Sequence, residues 1–175
     1  MRSLHFLSIF WLSISLSANP PVLNKASITH PEVGLEGMVV TQHYLASEVG
    51  EAILNKGGNA YDATIAVSFA LAVVLPRAGN IGGGGFTVLY NSSDESFQSL
   101  DYREKAPLAA SKNMYLDKNG DVISNLSTLG YKAIAVPGTV DGMWELHKKY
   151  GSMDWKELIV PSIKLAKEGF KVSPL

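Results

Sequence analysis

The chain has 175 residues, 46% of them apolar and 18% charged, and a net charge of −1. That length supports one domain with a substantial core, and the composition is globular rather than disordered. No basic cluster or recognition-helix pattern speaks for nucleic-acid binding, and the lack of cysteine excludes a disulfide framework, a thiolate nucleophile and a Cys-based zinc site.

Arg2 precedes a mostly apolar run over residues 4–16, and Ser15, Ser17 and Ala18 follow as small residues suited to cleavage. Residues 1–18 therefore read as a secretory signal peptide, the run being too short for a comfortable membrane span. An uncleaved N-terminal anchor is the rival reading. Either one predicts an extracytoplasmic protein: periplasmic, secreted or held at the cell surface. Residues 19–36 are polar and proline-bearing and read as a linker, and residues 37–175 form the folded part.

Residues 38–41, Met-Val-Val-Thr, predict a short strand. Val49, Ala52 and Ile53 mark a helix over residues 46–56, with Gly57 and Gly58 as its stop. Residues 60–75 leave almost no polar face and predict a helix buried on all sides. Asp62 near its start and Pro76-Arg77 after it make it too short for a membrane span. Two strands, residues 86–90 and 97–102, flank a polar turn, and residues 117–121 signal another. Pro137-Gly138 introduces a helix over about residues 140–150, closed by Gly151. Asp154-Trp155-Lys156-Glu157 reads as a capping box for a last helix that Pro161 either kinks or restarts and that runs to about Gly169. The whole predicts an α/β or α+β chain. Its strands are too few to cover so apolar a helix, which suggests a piece of a larger molecule.

Gly82, Gly83, Gly84 and Gly85 could cradle an anion through backbone N–H groups. Phosphate loops, however, space their glycines, carry a lysine and lead into a helix, whereas this run leads into a strand. A tight backbone crossing is the favoured reading. Arg103 follows the hairpin, where a guanidinium could grip a carboxylate through a fork of parallel hydrogen bonds. Local chemistry alone favours a structural or solvated arginine. Glu104 could serve as an acid or base, but neighbours on a strand face opposite ways, so both enter one pocket only if the strand bends. His30, His43 and His147 lack partners at metal-ligand spacing and read as surface or packing residues. Asn91-Ser92-Ser93 and Asn125-Leu126-Ser127 have the form of N-glycosylation acceptors.

Taken in order, five blocks resemble the γ-glutamyltranspeptidases: Gly57-Gly58-Asn59-Ala60-Tyr61-Asp62-Ala63; Gly79-Asn80-Ile81-Gly82-Gly83-Gly84-Gly85-Phe86; Asp101-Tyr102-Arg103-Glu104-Lys105-Ala106-Pro107; Pro137-Gly138-Thr139-Val140; and Pro161-Ser162-Ile163-Lys164-Leu165-Ala166. The resemblance covers about residues 37–175 and implies the N-terminal part of the large subunit. It further implies an N-terminal nucleophile hydrolase fold, an αββα sandwich of two stacked sheets between helix layers. A precursor of this family cleaves itself, and the new N-terminal threonine of the small subunit attacks the γ-glutamyl amide of glutathione or a related donor. The acyl-enzyme then passes the glutamyl group to water or to an amino-acid or peptide acceptor. The threonine's own α-amine can act as the base.

The resemblance places Arg103 on the α-carboxylate of the donor, Glu104 beside it as an orienting group, and the glycine run as a backbone feature near the pocket. It implies no metal and no cofactor. The family's processing site and threonine lie beyond residue 175, so no catalytic residue is expected in this chain. Thr41-Gln42-His43 faintly resembles the nucleophile's surroundings but lies on the wrong side of the glycine loop. Two alternatives stand beside the transpeptidase reading: a cephalosporin or glutaryl acylase relative, and a truncated, catalytically dead paralogue that serves as a binding or structural partner.

Overall fold

The first helix, α1 (Tyr44–Asn55), starts at His43, whose Nδ1 accepts the Leu45 N–H at 3.3 Å. It ends in a paired reverse bond: Gly58 N–H donates to the Ile53 carbonyl at 3.1 Å and Gly57 N–H to that of Leu54 at 2.9 Å. Gly57 holds φ +89°, a left-handed conformation that a side chain would disfavour, so the glycine pair stops the helix as predicted. The computed structural model describes residues 33–172. The signal-peptide segment and most of the linker lie outside the described residues.

Helix α2 (Ala60–Val74) opens on a capping box that sequence reading did not anticipate. Asn59 Oδ1 accepts from Tyr61 and Asp62 N–H, and Asp62 Oδ2 accepts from Asn59 N–H at 3.0 Å. α2 is the central element and packs against α1, α3 (Thr139–Tyr150) and α4 (Trp155–Glu168). Ile65, Ala66 and Phe69 meet Ile53 of α1, Met143 and Leu146 of α3 and Leu158 of α4 in one core. A second cluster joins Ala46 to Ala70 and Val74. Helices therefore supply the cover that the sequence argument sought in a sheet. Burial is not complete on every side, since Thr64 is exposed and Val67, Leu71 and Val73 are half-buried.

Strand β1 (Phe86–Asn91) pairs antiparallel with β2 (Ser96–Asp101), in a register that sets Phe86 against Asp101 and Asn91 against Ser96. Side chains alternate, so Leu89 and Leu100 face the helical core while Phe86, Val88, Tyr90 and Phe97 face outward. Tyr102 falls just beyond the predicted strand's observed end. Residues 38–41 form no strand, which corrects the expectation above. A strand exists only where a neighbour takes its backbone bonds, and no described segment pairs with these residues.

Asp154 Oδ1 caps α4 through the Lys156 N–H at 2.8 Å, so its half of the predicted box forms. Pro161 lies inside one continuous helix instead of starting a new one, and Gly169 at φ +78° closes it.

Candidate functional site

β2 ends at Asp101, and the chain then runs as an irregular strap over residues 102–105. Its backbone is fixed at Tyr102, Arg103 and Lys105. Tyr102 N–H donates to the Gly85 carbonyl at 3.0 Å, and Arg103 N–H to Asp101 Oδ1 at 3.0 Å. Lys105 and Val136 exchange bonds of 3.1 and 2.8 Å in an isolated antiparallel bridge.

Glycines press on the strap from two sides. A Cβ at Gly84 would stand 2.5 Å from the Tyr102 carbonyl oxygen and 2.8 Å from Arg103 Cα, and one at Gly85 would meet the Tyr102 hydroxyl at 2.9 Å. From the opposite side, a Cβ at Gly138 would strike the same Tyr102 carbonyl, and one at Gly142 would strike the Tyr102 ring. The glycine run is thus a close backbone crossing at Gly84, while Gly85 makes room for the Tyr102 ring. Gly82 meets only Asn80 Oδ1, at 3.5 Å, and takes no part in it. Gly84→Ala is accordingly expected to destabilise the protein by about 1–3 kcal/mol through overpacking, whereas Gly82→Ala changes stability by less than about 0.5 kcal/mol. Chemical denaturation of both variants checks the contrast.

Because the strand has ended, Arg103 and Glu104 are freed from strand alternation and approach each other, Nε to Oε2 at 3.9 Å. That contact is at the outer limit of an ion pair and is exposed, with the Arg103 side chain 69% accessible, so it contributes little to stability. The guanidinium makes no hydrogen bond among the described residues, which leaves its fork open to a carboxylate. Glu104 borders a cleft of about 250 Å³ that Ser68, Asn80, Gly83, Tyr102 and Thr139 also line.

The other residues singled out in the sequence do not converge on this site. Thr41 Oγ1 donates to the His43 carbonyl at 2.7 Å and lies 2.9 Å from Ser47 Oγ, a cap at the start of α1. His43 is buried, and burial lowers its pKa. His147 Nε2 lies 2.9 Å from the Met153 carbonyl, its ring stacked on Trp144 and edge-on to Trp155 between α3 and α4. Both histidines are packing residues. Sequence reasoning missed Gly138 and Gly142 as parts of the strap's seat. The Pro137-Gly138-Thr139-Val140 block marked the place, but nothing local ties it to Tyr102.

A family model described as Gamma-glutamyltranspeptidase matches residues 46–175. The Glutathione hydrolase proenzyme of Pseudomonas sp. (strain A14) is 53% identical over 150 residues, which are 85% of this chain and 26% of that protein. The Glutathione hydrolase proenzyme of Escherichia coli (strain K12) is 42% identical over 156 residues, 88% of this chain and 27% of that one. Among solved structures, Helicobacter pylori gamma-glutamyltranspeptidase aligns with a TM-score of 0.78 at 51% identity, covering 82% of this chain and 41% of that chain. Cephalosporin acylase from Bacillus halodurans aligns with a TM-score of 0.63 at 30% identity, covering 74% and 24%. The chain spans about a quarter of the length of the curated relatives it matches. The fold is the α/β fold of the N-terminal nucleophile hydrolases, of which the described residues hold four α-helices and one hairpin. With the family match covering most of its length and its glycine-seated strap in place, the chain belongs to the γ-glutamyltranspeptidase family.

Proposed function

We propose that the whole protein hydrolyses or transfers the γ-glutamyl group of glutathione and related donors, and that this chain supplies the grip on the donor's α-carboxylate. The observation that carries the reading is the identity of 53% to a glutathione hydrolase proenzyme, against 30% to a cephalosporin acylase. The open guanidinium of Arg103 supports it, because a planar fork matches a carboxylate in a way that a lysine ammonium does not. Glu104, on the rim of the adjoining cleft, helps to orient the pair. Residues 1–18 direct export, residues 19–36 link, and residues 37–175 open the large subunit of an extracytoplasmic protein.

In this reading a threonine of the small subunit attacks the γ-carbonyl carbon. The C–N bond breaks, and the amine leaves with a proton relayed by the threonine's α-amine. Water or an acceptor amine then attacks the ester, which returns the threonine hydroxyl. Arg103 takes part by holding the donor so that its γ-carbonyl reaches the nucleophile, a gain in proximity rather than in bond-making.

A chromogenic anilide assay separates this reading from the acylase alternative. The full-length, matured protein is expected to prefer a γ-glutamyl anilide over the glutaryl anilide, which keeps the carboxylate but lacks the α-amino group, by about 100-fold or more in kcat/KM. Equal or reversed preference would establish an acylase, and no turnover of either would support the inactive paralogue. Residues 1–175 alone are expected to release no product from either substrate.

A further inference from the structure

The strap that carries Arg103 is held by two bodies, the glycine loop and the first turn of α3, and these two bodies are themselves joined. The Gly83 carbonyl accepts from both Gly138 N–H at 2.9 Å and Thr139 N–H at 3.1 Å. Both donors belong to the N-terminal turn of a 12-residue helix, where N–H groups have no partner within the helix. Thr139 adds a second tie: its Oγ1 donates to the Asn80 carbonyl at 3.1 Å. Among the described residues this is the one side-chain hydrogen bond between the glycine loop and α3. Thr139 is 6% exposed, so the bond is shielded from competing water.

The consequence for Arg103 follows from the glycine contacts. Gly84 lies against Arg103 Cα, while Gly138 lies against the carbonyls of Tyr102 and Arg103. Arg103 is therefore seated in a slot whose walls are Gly84 and Gly138. The bonds to Gly83 and Asn80 set how wide that slot is. Backbone bonds at Gly83 are made by any sequence, whereas the bond to Asn80 depends on a hydroxyl at position 139.

We propose that Thr139 is a positioning residue for donor binding, closing the glycine loop onto α3 and so fixing where the Arg103 guanidinium stands. The proposal rests on the reading of Arg103 as the carboxylate grip. Thr139 lines the cleft that Glu104 borders, with its hydroxyl taken up by the Asn80 carbonyl. It acts through Asn80, the glycine loop and the strap, and a small displacement of a substrate-holding group weakens its grip on the bound donor.

The test uses the full-length, matured protein and a γ-glutamyl anilide. Thr139→Val keeps the shape and removes the donor, and it is expected to raise KM for the anilide about 5- to 20-fold with kcat changed less than about 2-fold. Thr139→Ser, which restores the hydroxyl, is expected to return KM to within about 2-fold of the parent value. A residue that serves only stability would lower the yield of matured protein and leave the KM of what matures unchanged. That outcome, or an equal KM rise in Thr139→Ser and Thr139→Val, would overturn the proposal. If Thr139→Val does not fold, the Thr139→Ala and Thr139→Ser pair gives the same comparison. Arg103→Ala is measured alongside. If it retains the parent kcat/KM, the carboxylate reading itself has failed. If it loses activity while Thr139→Val does not, only the positioning role has failed.

Discussion

Arg103→Ala, introduced into the full-length protein, is expected to lower kcat/KM for a γ-glutamyl donor by about 30- to several-thousand-fold, corresponding to about 2–5 kcal/mol for loss of a charged contact whose partner is left buried. The size of the loss depends on water being excluded from the donor's carboxylate once it is bound, since an exposed ion pair is worth only about 0–1 kcal/mol. Stability is expected to stay within about 0.5 kcal/mol. The Arg103 side chain is 69% accessible, makes no hydrogen bond among the described residues, and meets Glu104 only at 3.9 Å. Its backbone N–H, which does bond to Asp101, survives the substitution. Arg103→Lys keeps the charge and loses the planar fork, so it is expected to raise KM by about 10-fold or more while leaving kcat closer to the parent value. Steady-state kinetics on the three proteins, with thermal melts beside them, check both parts. Parent kcat/KM in Arg103→Ala would end the carboxylate assignment.

The elements most legible in the sequence are those whose boundaries are written locally. Gly57 stops α1 and Gly169 stops α4 because these positions need a left-handed backbone. The hairpin was legible from its alternation and its polar turn. Residues 38–41 were misread because β-propensity describes a surface that suits pairing and does not supply the partner. The site divides in the same way. Arg103 and Glu104 could be located by motif, and their ability to share a site became clear only when β2 was seen to end at Asp101. Gly138 and Gly142 were hidden because their glycine character answers to Tyr102, some forty residues away in the chain, and no local pattern records that contact.

Asp62 enters the sequence reading as a charge that argues against a membrane span and as a member of the first family block, with no structural role assigned, yet its removal is expected to cause the largest loss of stability. Its carboxylate is fully buried at the first turn of α2 and accepts from Asn59 N–H at 3.0 Å, Ser152 N–H at 3.1 Å, Met153 N–H at 3.4 Å and the Ser152 hydroxyl. The Asn59 side chain reinforces the junction by donating to the Tyr150 carbonyl at 2.8 Å. Together these bonds tie the start of α2 to the turn between α3 and α4, and so hold α3, the helix that seats the Arg103 strap. Asp62→Ala would orphan three backbone donors and a hydroxyl at once, at a cost of about 3–5 kcal/mol. Asp62→Asn would turn an amide NH₂ towards some of the same donors, and about 2–3 kcal/mol is expected. The pH dependence follows from the direction of the pKa shift. Burial raises the Asp62 pKa, but the Ser152 hydroxyl and the N–H groups of Asn59, Ser152 and Met153 outweigh it and leave the net value lowered. The unfolded chain therefore binds this proton more readily than the folded one. The stabilisation is fully present above the unfolded carboxylate value of about 3.9 and is lost as pH falls from there through the lowered folded value. Denaturation midpoints of the full-length protein and Asp62→Asn are thus expected to differ most at neutral pH and to converge in acid. A gap that stayed constant down to pH 2, or an Asp62→Ala variant as stable as the parent, would show that the charge of Asp62 does not hold this junction.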